Sequence, residues 1–156
     1  GQEMPPMENL PKGWHKFALA DYSMVDLPHG NENDPKPKRY IQLELQHIET
    51  GAPRRAFLNW PMPGDFDEQL VNSKTGQPMF DKDGEAMTKG GSKVSAIKTV
   101  VYALGGPESG AITPDTFAQL VGNTAMFLVG VDEWPAGSGE FRDRVDLAFG
   151  KGIKPA

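Results

Sequence analysis

Apolar and polar positions alternate most clearly between Lys38 and Trp60, KRYIQLELQHIETGAPRRAFLNW. From Tyr40 the chain sets Ile41, Leu43 and Leu45 on one side and Tyr40, Gln42, Glu44 and Gln46 on the other, the period of a half-buried strand. Thr50, Gly51, Ala52 and Pro53 break that run and Arg54 to Trp60 begins another, so the segment predicts a strand, a turn and a returning strand. Upstream, Trp14 to Asp26 alternates as well, with Phe17 and Leu19 on one parity and Lys16, Ala18, Ala20 and Tyr22 on the other. Pro28, Gly30 and the PKPK run at 35–38 make the next stretch a loop, because proline fixes φ and cannot donate to a ladder. Three consecutive antiparallel strands follow, the third ended by Pro61, Pro63 and Gly64.

Later the period changes to that of a helix. Ser92 is the expected N-cap, Val94, Ile97, Val101 and Leu104 share one face, Ala96, Val100 and Ala103 thicken it, and Gly105-Gly106-Pro107 stops it. A shorter helix is expected after Thr113, with Pro114 and Asp115 in its first turn and Phe117, Leu120 and Val121 apolar before Gly122-Asn123. Two strands close the pattern, Thr124 to Asp132 and Glu140 to Phe149, joined by a loop holding Trp134, Pro135 and Gly137 to Gly139. The polar stretch from Gly64 to Gly91 is too long for an idle connection. Its Thr75-Gly76 and Asp83-Gly84 turns, with Met79 and Phe80 between them, predict a small projecting hairpin. The reading is therefore a leader at 1–12, one domain at 13–150 with an insertion at 64–91, and a tail at 151–156.

Composition narrows the class. The 156 residues suit one modest core, and 18 Gly with 14 Pro favour a β protein with long loops over a helical bundle. There is no cysteine, so disulfides and thiolate chemistry are excluded and an intracellular setting is expected. No apolar run reaches the length of a membrane span or a signal core. A net charge of -5 argues against indiscriminate polyanion binding, but cations cluster locally at Lys36, Lys38 and Arg39, at Arg54 and Arg55, at Lys89 and Lys93, and at Arg142 and Arg144.

Three meander strands, a main and a short helix, and a final pair is the element order of the OB-fold, a five-stranded Greek-key barrel. The expected fold is thus mainly β. The chain from Gly13 to Phe149 also resembles bacteriophage single-stranded DNA-binding proteins of the OB type. The resemblance lies in PKGWHKFALAD, YIQLELQHIETG, RRAFLNW, GGSKVSAIKTVVYALGG and TPDTFAQLVGNTAMFLVGV. It implies coating of single strands during phage replication or recombination, in the cytoplasm of a bacterial host, with replication or recombination proteins as further partners. One departure stands out: many relatives end in an acidic tail that recruits partner enzymes, whereas this sequence ends GKGIKPA. That tail is either absent or removed.

Single-strand binding needs cations for phosphates and aromatic faces for bases. With Ile41, Leu43 and Leu45 inward, Tyr40 and Gln42 face out, and neighbouring strands offer Lys16 and Tyr22, then Arg55, Phe57 and Asn59. The other parity of the third strand exposes Arg54 and Trp60 instead, and the sequence leaves that choice open. Lys36, Lys38 and Arg39 suit phosphate beside Tyr40, or simply form a solvated loop. Arg142 and Arg144 alternate with Phe141 and Val145, so both face outward, for phosphate contact or edge protection. Trp134 is either a base-stacking group or a lid over one end of the sheet. Each aromatic has packing as its ordinary alternative.

GGSK at 90–93, containing Lys93 and preceded by Lys89, suits an anion at a helix start but lacks the spacing of a nucleotide P-loop. DKDGE from Asp81 lacks the later Glu of a calcium loop, and His15, His29 and His47 have no Cys partners for zinc. No triad or paired acid and base is present, so neither catalysis nor a cofactor is expected. The competing reading is a non-catalytic interaction or structural module on a small β-barrel, favoured by the acidic net charge and the polar insertion.

Overall fold

A computed structural model describes residues 9–108, 110–133 and 135–156. Its strands are β1 (Gly13–Leu27), β2 (Lys38–His47), β3 (Pro53–Asn59), β4 (Thr124–Glu133), β5 (Phe141–Val145) and β6 (Ile153–Pro155). They form an antiparallel sheet in the order β3-β2-β1-β4-β5, with β6 on β4. The protein is mainly β, as expected, but the sheet is six-stranded and no ladder joins its edges β3 and β5. It does not close into a barrel.

The predicted alternation of β2 holds: Ile41, Leu43 and Leu45 are buried. On β1, Phe17 and Leu19 are buried, but the register against β2 shifts between Leu19 and Asp21. That one-residue bulge reverses parity, so Tyr22 and Met24 turn inward and pack against the core. The returning strand β3 buries Ala56 and Leu58. Phe127 and Val129 of β4 complete the sheet's inner face.

Helix α1 (Lys89–Ala103) begins before the expected Ser92 cap. Thr88 is the N-cap, and its hydroxyl accepts from Gly91 N–H at 3.0 Å. The apolar stripe is nonetheless the predicted one, with Ile97, Val100, Val101 and Leu104 buried against the sheet. The shorter helix is a 3-10 segment, Pro114–Leu120, that buries Phe117 and Leu120. Gly105 follows α1 at φ 85°, the left-handed geometry that ends a helix.

The insertion folds into turns and isolated bridges. After a 3-10 turn at Pro63–Asp67, single bridges join Gln69 to Thr88, Val71 to Pro78 and Phe80 to Ala86, making a short exposed meander that leads into α1. The predicted strand from 140 to 149 stops at Val145, because Leu147 turns into the core and a 3-10 turn follows at Ala148–Gly150. Described residues near both ends join the fold. Leu10, within the stretch read as a leader, is buried, and Ile153, within the stretch read as a tail, is buried on β6.

Candidate nucleic-acid interface

The β2/β3 register places three outward pairs in a row, Tyr40 with Asn59, Gln42 with Phe57 and Glu44 with Arg55. Burial of Ala56 and Leu58 fixes the parity that the sequence left open: Arg55, Phe57 and Asn59 face out. Arg54 turns in, and Trp60 packs against the core edge. Tyr40 and Phe57 meet diagonally, edge to face, with centroids 5.4 Å apart and planes at 81°. Phe57 remains 51% exposed. Beside them β1 contributes Val25 opposite Tyr40 and Ser23 opposite Gln42. The result is an aromatic step flanked by the amides of Gln42 and Asn59.

Acids neutralise most cations around it. Glu44 accepts from Arg55 Nε at 3.0 Å and from Gln42 Nε2 at 2.7 Å. Arg39 pairs with Asp26 at 2.5 Å and Lys38 with Asp34 at 3.2 Å. Asp34 is held below the ordinary carboxylate range by the Lys36 backbone N–H and then by Lys38. At the start of α1, Lys89 pairs with Glu68 and Lys93 with Asp65, both at 2.7 Å. Burial raises the Asp65 carboxyl, but hydrogen bonds from Lys93 and the Met62 N–H outweigh it, and the net shift is downward. The Arg39, Lys38, Arg55 and Lys89 pairs are solvent-exposed and screened by salt, whereas Lys93–Asp65 is partly buried.

The expected residues therefore fall into groups. Arg39, Tyr40, Gln42, Arg55, Phe57 and Asn59 share the β2/β3 face, with Lys36 and Lys38 on the loop leading into it. Lys93 lines a groove with Phe57 and Asn59, and Lys89 lies one helical turn before it. Lys16 lies outward where β1 pairs β4, while Arg142 and Arg144 are exposed on β5, the latter paired with Asp132 at 2.6 Å. These three are apart from the aromatic step. Lys16, Lys36 and Arg142 make no ion pair among the described residues. Tyr22 is turned away by the bulge and packs toward Phe117, with ring centroids 6.2 Å apart. Arg54 is a buried structural cation, and Trp134 lies outside the described residues.

Sequence reading missed Phe149. Counted as the last residue of a strand, it stands 76% exposed with φ at 60°. Its signal was the Gly150-Lys151-Gly152 that follows, a turn composition that forbids a continuing strand. Among the described residues no cluster of three or more His, Cys, Asp and Glu side chains is placed to hold a metal ion. No helix among them is long and apolar enough to cross a membrane. A scan against protein-family models matches none of them to this chain, and a search of curated proteins returns no relative, so the face is read from its own geometry.

Proposed function

We propose that this protein binds single-stranded DNA without sequence preference, protecting it during bacteriophage replication or recombination in the host cytoplasm. The observation that carries the reading is the Tyr40–Phe57 step, held outward between Gln42 and Asn59 on a stiff antiparallel pair. Exposed aromatic faces bind any base, because every base has a π-face, and each stacked base contributes about 1 to 3 kcal/mol. Flanking amides and carboxylate-paired cations give phosphate contacts without a base-edge code. Catalysis forms no part of this reading.

An OB-fold is the architecture that suits it. β1 pairs both β2 and β4, α1 lies between β3 and β4 in sequence, and the Arg54–Asp143 ion pair spans the unladdered gap between β3 and β5. Those connections support an OB-type strand order, with a side-chain pair in place of a ladder between β3 and β5. Other replication or recombination proteins are the natural partners of such a coat protein.

Fluorescence anisotropy of labelled oligo-dT, oligo-rU and duplex DNA, titrated with the protein at two salt concentrations, tests the proposal. Single strands should raise it, duplex should bind more weakly, and affinity should fall steeply with salt through counterion release. Unchanged anisotropy at low salt with micromolar protein overturns it.

A further inference from the structure

Resting on the single-strand reading, we infer that Phe149 is a second base-stacking platform, continuing the path of a bound strand from the Tyr40–Phe57 step along the groove between β3, α1 and the turn after β5. Phe149 is the one non-glycine residue with positive φ among the described residues, at φ 60° and ψ 20°. A bulky side chain rarely adopts the left-handed region, and such residues concentrate at binding sites.

Its neighbours impose that geometry. Leu147, two residues earlier, is buried, and Gly150 lies so close to α1 that an added Cβ would sit 3.0 Å from Ala96 Cα. The turn is clamped on both sides while its ring is held out to solvent, 76% exposed. A ring free to choose would cover apolar surface.

The position is continuous with the first step. Phe149, Phe57, Asn59 and Lys93 line one groove of about 210 Å³ between β3, the first turns of α1 and the turn after β5. On its far side Phe149 borders a second groove with Lys151, Lys12 and Arg144. Lys151 makes no ion pair among the described residues, and Lys93 is paired only through Asp65. Asp146 lines both grooves, but Arg144 approaches it at 3.5 Å. Cations on either side of an exposed ring suit a phosphate backbone with a base between them.

Oligothymidylates of about 4 and about 16 nucleotides bracket the site sizes of such folds and separate the two steps. With the full chain, F149A should lower affinity for the longer strand about tenfold while leaving the shorter strand within twofold. F149G should do the same while keeping or raising the thermal midpoint, because glycine accepts φ 60° without strain. This second variant separates binding from folding. Ultraviolet crosslinking of the long oligothymidylate to wild-type protein should map to the peptide holding Phe149.

Unchanged long-strand affinity in F149G, with wild type binding normally, overturns the inference and leaves the Tyr40–Phe57 proposal standing. Retained oligonucleotide binding with loss of a protein complex in F149A also overturns it, assigning the ring to a protein contact. If wild type binds neither oligonucleotide, the single-strand reading itself fails and takes this inference with it.

Discussion

Arg54 of β3 and Asp143 of β5 join the two edges of the sheet by a bidentate ion pair, Nε to Oδ1 at 2.6 Å and Nη2 to Oδ2 at 2.7 Å. Their side chains are only 11% and 4% exposed. Asp143 Oδ2 also accepts from Leu10 N–H at 2.5 Å. Burial raises this carboxyl, but the Arg54 hydrogen bonds and the Leu10 N–H outweigh it, and its folded pKa lies below the ordinary carboxylate value. D143N breaks this largely buried bidentate pair and should destabilise the fold by about 3 to 5 kcal/mol in urea unfolding.

The same shift fixes an acid limb. Because the folded pKa is depressed, the pair's contribution is fully present above the unfolded value of about 3.9 and is lost as pH falls through the folded one. Thermal midpoints should therefore drop below about pH 4 in wild type, and that slope should flatten in D143N.

Leu10 should behave as a core residue. It is 5% exposed, and its neighbour Asn9 is fixed to the β5 edge, donating to Phe141 O at 2.6 Å and accepting from Asp143 N–H at 3.1 Å. An amide side chain thus occupies the edge where a further strand would pair. L10A should cost roughly 2 to 5 kcal/mol of stability by urea unfolding. A change within a few tenths would return the segment to a mere leader.

Local periodicity made most of the sheet legible. Ile41, Leu43 and Leu45 announce β2's inner face, and the stripe through Ile97, Val101 and Leu104 announces α1. What stayed hidden depends on distant partners. The bulge at Ala20 has no composition signal, yet it decides that Tyr22 packs inward. Arg54 reads as one of two adjacent surface arginines, and only a carboxylate on β5 reveals it as buried. The parity of β3 is ambiguous in the sequence because each face carries an arginine and an aromatic ring, Arg54 with Trp60 or Arg55 with Phe57, and only the burial of Ala56 and Leu58 in the core decides it. Gly90 and Gly91 hid the start of α1, since Thr88 and not Ser92 supplies the cap.

His47 should give the protein a second, milder pH dependence. It is 3% exposed, with Nε2 3.0 Å from His15 Nδ1, Nδ1 2.8 Å from Thr50 Oγ1, and its ring edge-on to Phe17. Burial first, then His15 and Arg54, lower its pKa, while Glu49 and Asp143 oppose them less strongly. A histidine depressed in the folded state leaves the unfolded chain to take up the proton first. Stability should be full above the unfolded value of about 6.5 and decline as pH falls from there toward the folded value. H47Q should remove that decline, read as thermal midpoint from about pH 7 to about pH 5.

Binding should divide the paired arginines. Arg54 and Arg55 are adjacent in sequence, yet one is tied to Asp143 in the interior and the other lies 65% exposed beside Glu44 on the aromatic face. R55E should weaken oligo-dT binding and reduce the slope of log affinity against log salt by about one, with little change in thermal midpoint. F57A should lower affinity by about 1 to 3 kcal/mol, the range for one stacked base, and leave the salt slope unchanged because no phosphate contact is lost. The contrast matters more than either loss alone. A stacking residue shifts the whole salt line downward, whereas a phosphate-contacting residue tilts it. Equal slopes and equal affinities in R55E and wild type would remove Arg55 from the phosphate path, and unchanged affinity in F57A as well would remove the β2/β3 face from the binding path.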